Sequence, residues 1–221
     1  MKRMIPLLLL ALYVLMCAAV WWRHRRRQRL AAAESAALLP AADAGPPVLV
    51  LHASQTGQAE SLAWRTGKFL HLAGMPVRVC ALGQVSAQDL QGARHALIIA
   101  STYGEGDPPD SAARFVRKGM GETTDLSGLR FGLLALGDRS YDQFCGFGHA
   151  VDGWLRRSGA EPLFDLVEVD AGDAGAVRHW QHQLNQILPL CVHSIRRLAR
   201  ILVRPTRRVK LNVWLRAPFS L

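Results

Sequence analysis

The sequence predicts an α/β protein whose body is a doubly wound parallel sheet, and three observations carry that prediction. Short apolar runs alternate with helical stretches from residue 48 to residue 188. Two of those runs, 96–100 (ALIIA) and 131–136 (FGLLAL), are wholly apolar, as central strands covered on both faces must be. Finally, polar Gly-containing segments directly follow the first, third and fourth strands: SQTGQAE at 54–60, STYGEGDPPDS at 101–111 and GDRSYDQFCGFG at 137–148. In an open parallel sheet, ligands bind outside the carboxyl ends of the strands where the winding reverses.

Taken in order, residues 48–53 (VLVLHA) form the first strand and 58–73 the first helix of the body. Residues 76–82 (PVRVCAL) alternate like a strand, 96–100 is a buried strand, and 111–120 is helical. The fourth strand is 131–136, followed by helix 150–158, a last strand over 162–169 and a closing helix over 176–188. Five strands separated by helices require crossovers, which are right-handed, and so place helices on both faces.

The net charge of +10 is unevenly spread. Residues 1–46 carry seven Lys/Arg against Glu34 and Asp43, and residues 188–221 carry eight basic residues and no acid. The body between them holds 12 Lys/Arg against 15 Asp/Glu. An acidic body between basic ends excludes the usual nucleic-acid binder, whose basic surface lies on the folded domain. Cys17, Cys80, Cys145 and Cys191 have no paired spacing, which excludes a disulfide framework or a zinc site and points to a reducing compartment.

Residues 4–22 (MIPLLLLALYVLMCAAVWW) run 19 residues without a charge, near the ~20 a spanning helix needs. Trp21 and Trp22 close the run and five Arg follow within 23–29, against Lys2 and Arg3 before it. A cleaved signal peptide would place its charge on the other flank and a small-residue site after the run. Residues 1–29 therefore read as a single transmembrane anchor in the cell's inner membrane, with the body cytoplasmic by the positive-inside bias. Residues 30–46, rich in Ala and Pro, read as a linker, and 47–187 as the domain. In 188–221 a basic amphipathic helix and a solvated tail are both open readings.

The loops have a chemistry of their own. Ser54, Gln55, Thr56 and Gly57 lead into a helix, where hydroxyls, N–H groups and the helix N-terminus together cradle a phosphate. There is no Lys in the loop and no Gly-Lys-Ser/Thr signature, which excludes a nucleoside-triphosphatase loop. Tyr103 in the second loop, and Tyr141, Phe144 and Phe147 in the third, are costly to leave in water, and two opposed rings could sandwich a planar heterocycle. For any one ring, packing against its own loop is the better account; for three such loops at one sheet edge, the sandwich is.

Residues 47–187 resemble the flavodoxin-type FMN domain of the diflavin reductases, and most closely the flavoprotein component of sulfite reductase, with the NADPH–cytochrome reductases next. The resemblance rests on SQTGQAE at 54–60, STYGEGDPPDSA at 101–112, LALGDRSYDQFCGFG at 134–148, and EVDAGDA at 168–174 with Trp180. It implies a flavodoxin-like sheet of order 2-1-3-4-5 and FMN as cofactor. It assigns Ser54, Gln55, Thr56, Gly57, Gln58 and Ala59 to the phosphate, and Tyr103 and Tyr141 to the faces of the isoalloxazine. Ser101, Thr102, Gly104, Glu105 and Gly106 fall beside the ring's polar edge, the Gly104 carbonyl being the candidate acceptor for a proton on N5. Leu136, Gly137, Asp138, Phe144, Cys145 and Gly148 shape the third loop, and Asp170 lies near the ring.

The resemblance implies an electron relay, with an FAD/NADPH-type reductase as donor, a haem, iron–sulfur or ferric centre as acceptor, and no catalytic side chain of its own. Only 34 residues follow Ile187 and no second dinucleotide fingerprint is present, so a complete NADPH-dependent reductase is not expected from this sequence. A shortened form of an anchored diflavin reductase and a flavin-free scaffold are the two other readings.

Overall fold

A computed structural model of the chain describes residues 12–23, 25–26, 46–121 and 124–186. A helix, α1, covers 12–23. The body then runs β1 (Val48–Ala53), α2 (Gln58–Leu72), β2 (Val77–Ala81), α3 (Ala87–Gln91), β3 (His95–Ser101), α4 (Ala113–Lys118), β4 (Arg130–Gly137), α5 (Gly146–Arg157), β5 (Glu161–Pro162) and β6 (Val167–Asp170). A closing helix, α6, follows over 174–186. The strands are parallel in the order β2-β1-β3-β4-β5, and β6 also pairs with β4.

Side-chain alternation divides the core into two layers, one on each face of the sheet. Leu49, Leu51 and Ala53 of β1 join Ala96, Ile98 and Ala100 of β3 and Phe131 and Leu133 of β4. On that face they meet Leu90 of α3, Phe115 of α4, and Val151, Trp154 and Leu155 of α5. Phe115 and Trp154 pack edge to face at 5.2 Å. The intervening residues Val48, Val50, Leu97, Ile99, Leu134 and Leu136 face the other way, against Ala59, Ala63 and Leu70 of α2 and Trp180 and Leu184 of α6. The expected doubly wound sheet is therefore present. Its reversal lies between β1 and β3, where successive crossovers leave on opposite faces.

The fifth sheet position departs from the single strand expected over 162–169. β5 pairs with Arg130 and Phe131, and β6 pairs with Leu134 to Gly137. The residues between them leave the ladder, and Phe164 lies over Gly132, where an added Cβ would come within 2.6 Å of the ring. Phe164 also meets Trp180 edge to face at 5.4 Å. Filling the space above a glycine with an aromatic ring breaks the strand in two.

The sequence reading assigned no helix between the second and third strands, and the structure has α3 there. It is only five residues long but has a complete capping box: Ser86 Oγ accepts from Asp89 N, and the Asp89 carboxylate accepts from Ser86 N. α5 begins at Gly146 rather than 150, because Cys145 adopts a left-handed conformation (φ 55°) at its N-cap.

Of the expected anchor over 1–29, residues 1–11, 24 and 27–29 lie outside the described residues, as do 30–45 of the expected linker and 187–221 at the other end. No helix among the described residues is long and apolar enough to cross a membrane. α1 exposes every one of its side chains, including Leu12, Leu15, Trp21 and Trp22. Arg25 stacks on Trp21 at 4.4 Å and Arg26 on Trp22 at 5.7 Å.

The α3 cap yields a pH-dependent expectation. The Ser86 hydroxyl and N–H, with the Arg78 guanidinium 2.8 Å away, hold the Asp89 carboxyl down to about 2. The folded pKa lies below the unfolded one, so the stabilisation is full above the unfolded carboxylate range near pH 4 and is lost as pH falls through about 2. Asp89→Ala is expected to cost about 1 kcal/mol in urea unfolding at pH 7. The gap from the parent protein closes as the titration approaches pH 2; a gap constant with pH would contradict the capping account.

Candidate functional site

All three polar loops leave the carboxyl ends of β1, β3 and β4, and they meet at one end of the sheet around a cleft of about 330 Å³. That volume falls within the range of small-molecule sites. Its lining includes Gln55, Thr56 and Gln58 from the first loop, Ser101 to Gly104 from the second, and Leu136, Gly137, Asp138, Tyr141 and Cys145 from the third.

The first loop is a turn built to present donors. Ser54 Oγ accepts from Gly57 N at 2.9 Å, and Gly57 takes a left-handed φ of 95° as the N-cap of α2. No side chain caps this helix, and its first backbone bond is Ser61 N–H to Gly57 O. The N–H groups of Gln58, Ala59 and Glu60 precede that bond and have no partner within the helix, which makes its N-terminus an anion site. A Cβ on Gly57 would meet nothing within 4 Å, so the space beside the turn is open.

The second loop folds back on itself. Tyr103 and Asp107 exchange two backbone hydrogen bonds of 2.9 Å, with Gly104 and Gly106 at positive φ (51° and 113°) between them. Tyr103 is held out of the fold, 58% exposed, and Tyr141 in the third loop is 44% exposed. Thr102 donates its N–H to Leu136 O at 2.8 Å, extending the β3–β4 ladder into the loops. Its Oγ1 is buried in the cleft wall without a hydrogen-bond partner.

The third loop is fixed from both sides. Asp138 accepts from Ser140 N and Oγ, which lower its pKa, and Asp170 accepts from Arg139 N at 3.0 Å. Ala171 donates to Gly137 O at 2.9 Å. Where the loop dives into α5, an added Cβ on Gly137 would come within 2.8 Å of Cys145 N, and one on Gly146 within 3.0 Å of Gly106 Cα. Burial, and then the nearby Glu168 carboxylate, push the Cys145 thiol up to about 12, so it stays protonated at neutral pH. Its Sγ lies 3.5 Å from Ala135 O.

The structure therefore brings most of the sequence-predicted residues to one place and gives the others different positions. Ser54, Gly57 and Ala59 support the first turn behind the lining, and Glu105 and Gly106 form the outer hairpin. Asp170 braces the third loop through Arg139. Phe144 is half-buried under Arg139, 5.0 Å from its guanidinium, and Phe147 is buried in the core. Gly148 is buried too, its Cα side packed on Ala135 so that α5 can approach β4, and it does not line the cleft. The four loop aromatics thus separate into two that pack the fold and two tyrosines that face solvent. Gln143 and Ala171 also line the cleft and were not read from the sequence. Gln143 lies directly against Gly106, and Ala171 takes φ 45°, a turn signalled only by the Ala-Gly-Asp that follows Asp170.

These features suit a flat heterocycle carrying a phosphate. The open helix N-terminus takes the anion, the exposed tyrosines offer two faces for stacking, and the orphaned Thr102 hydroxyl lacks the partner a polar ring edge would supply. FMN has each of these parts, and the residues present fit it.

Comparison with known proteins points the same way. The chain is 36% identical over 142 residues to the sulfite reductase (NADPH) flavoprotein alpha-component of Neisseria meningitidis serogroup C, an alignment covering 64% of this chain and 24% of that protein. It is 39% identical over 132 residues to the Bacillus subtilis protein of the same name, covering 59% and 22%. The chain thus spans about a quarter of the length of these relatives. Among solved structures, a cysteine-to-alanine mutant of the flavodoxin from Pseudomonas aeruginosa matches with a TM-score of 0.55 at 26% identity, over 65% of this chain and 97% of that one. Flavodoxin domains and the sulfite reductase flavoproteins bind FMN. Residues 50–180 match the flavodoxin family itself, and with the sheet order and the three-loop cleft in agreement, the chain belongs to that family.

Proposed function

We propose that this chain is an FMN-binding electron relay, tethered by its N-terminus to the inner membrane with the domain in the cytoplasm. It takes electrons from a reduced FAD/NADPH-type reductase and delivers them to a haem, iron–sulfur or ferric acceptor. The observation that carries the reading is the cleft itself, where Tyr103, Tyr141 and the orphaned Thr102 hydroxyl converge beside the uncapped N-terminus of α2.

Bound FMN would supply the reversible uptake and release of electrons. The residues divide the remaining work. Backbone donors at Gln55, Thr56, Gln58 and Ala59, with the Thr56 hydroxyl, would hold the phosphate without a cationic side chain, on a turn that Ser54 braces from behind. Tyr103 and Tyr141 would cover the ring and exclude water, and Thr102 and Gly104 would meet its polar edge, the Gly104 carbonyl serving as a hydrogen-bond acceptor there. Glu105, Asp107 and Asp138 would oppose added negative charge on the ring and so disfavour its anionic reduced form. The same acidic residues steer the domain toward a basic partner face.

The relatives' uncovered length favours a second reading, in which the chain is the FMN portion of a larger NADPH-dependent reductase. An adjacent in-phase coding region for FAD- and NADPH-binding segments would select it over a separate donor.

Purified full-length protein in detergent is expected to show the visible absorption of an oxidised flavin and to release FMN on denaturation. Protein that is folded, colourless and still colourless after incubation with FMN would overturn the relay and favour a scaffold. Replacing both Tyr103 and Tyr141 by Ala is expected to weaken FMN retention by at least about 2 kcal/mol, roughly thirtyfold, from the stacking lost on two faces. Full occupancy in the double variant, measured by equilibrium dialysis, would show that the tyrosines do not cover the ring.

For the tether, the support is the apolar run at 4–22 and the exposed apolar surface of α1. The full chain is expected to stay with the membrane pellet through alkaline carbonate washing. Its release into the wash would remove the spanning anchor from the proposal.

A further inference from the structure

The phosphate turn has no cation, so its affinity depends on how well its donors are held in place before any ligand arrives. What holds them is not the turn alone. Ser111, at the far end of the second loop, lies 57 residues away in sequence and accepts from Ser54 N at 2.8 Å. The same hydroxyl donates to Ser54 O at 2.9 Å. One side chain thus satisfies both backbone groups of the residue that opens the turn. Its neighbour adds a second tie: Asp110 N donates to Gln55 Oε1 at 3.1 Å, and Gln55 Nε2 reaches Asp110 Oδ2 at 3.5 Å. The Ser111 backbone is itself wedged against Gly83, where an added Cβ would run into Ser111 O.

We propose that Ser111 is a positioning residue for phosphate recognition. It locks the Ser54 peptide so that the Ser54 Oγ to Gly57 N bond and the free N–H groups at the start of α2 face the phosphate as a preformed set. This rests on the FMN reading above and extends it from the residues that touch the ligand to one that lines no part of the cleft. It also makes the lock specific for the phosphorylated end. The ring end is held separately, by the Tyr103–Asp107 hairpin and the Thr102 N–H to Leu136 O bond.

Loss of the Ser111 hydroxyl leaves the Ser54 N–H and C=O without their partner and frees the turn to sample other conformations, an entropic cost met again at each binding event. The consequence falls on ligands that carry the phosphate and spares those that lack it.

The test is a pair of fluorescence titrations, FMN and riboflavin, on full-length parent protein, Ser111→Ala and Ser111→Thr. Ser111→Ala is expected to weaken FMN about tenfold and riboflavin less than about twofold, and Ser111→Thr, which keeps a hydroxyl, to stay within about threefold of the parent for both. Equal losses for the two ligands in Ser111→Ala, or no loss for FMN, would overturn the proposal while leaving FMN binding intact. A parent protein that binds neither ligand would instead sink the FMN reading, and this inference with it. Should Ser111→Ala fail to fold, Ser111→Cys keeps the bulk of the side chain while weakening both of its bonds to Ser54, and is expected to shift FMN alone in the same direction. Its indifference to the phosphate would count against the lock.

Discussion

The pairing of β3 with β4 is the constraint on which the rest of this domain depends. It is the longest ladder in the sheet, running from His95 opposite Arg130 to Ser101 opposite Leu136. Its residues from Ala96 to Ala100 and from Phe131 to Leu136 are all buried. The ladder does not stop where the strands do. Thr102 N–H takes Leu136 O, Ala171 N–H takes Gly137 O, and the loops are therefore extensions of the sheet rather than free segments. A polar site must be rigid to bind without a large ordering cost, and here the rigidity is inherited from an apolar core one residue below it.

Close backbone approach carries that rigidity sideways. Gly146 packs on Gly106, Gly137 on Cys145 and Gly148 on Ala135, so the second loop, the third loop and α5 interlock at contacts no side chain could occupy. The cost appears at Cys145, a non-glycine residue held at φ 55° with its thiol buried. Left-handed conformations cost on the order of 1 kcal/mol or more for such a residue. The burial of Phe147, the second residue of α5, is worth roughly 2 kcal/mol on area grounds and is enough to offset it. The same burial that packs Cys145 keeps its thiol protonated, so a residue that lines the cleft is chemically quiet.

How much of this was legible in the sequence follows from what each signal encodes. Apolar runs such as ALIIA and FGLLAL report burial on both faces, and they placed β3 and β4 correctly to within a residue or two. The three loops announced themselves through Gly, Ser and Asp directly after strands, and the structure does bring them together. What the sequence does not encode locally was missed. The split between β5 and β6 is imposed by Phe164 seeking Gly132 and Trp180, partners on other elements. α3 is too short for periodicity to show, and only its Ser-x-x-Asp cap could have revealed it. Among the loop aromatics, residue type could not tell Phe147, which packs inward, from Tyr141, which does not. The phenolic hydroxyl is the one hint, since it tolerates solvent where Phe does not.

The exposed tyrosines show which link of the chain from sequence to function the domain leaves incomplete. Tyr103 and Tyr141 together keep large apolar ring area in water, at a cost of order 1 kcal/mol each relative to a covered position. Phe144 and Phe147, from the third loop, pack inward. The backbone instead forces the two tyrosines outward, Tyr103 by its two bonds to Asp107 and Tyr141 by its N–H bond to Asp138 O. A fold that spends hydrogen bonds to keep aromatic rings wet, beside an unpartnered hydroxyl and an uncapped helix, is one whose free energy falls when a flat anionic ligand arrives. Because no cation takes part in the cradle, the gain comes from stacking, which salt leaves alone, and from fixed dipoles in a partly enclosed cleft, which salt screens less than it screens exposed charges. In the relay proposed above, the acidic rim, whose influence salt does screen, would then govern encounter with a partner rather than retention of the ligand.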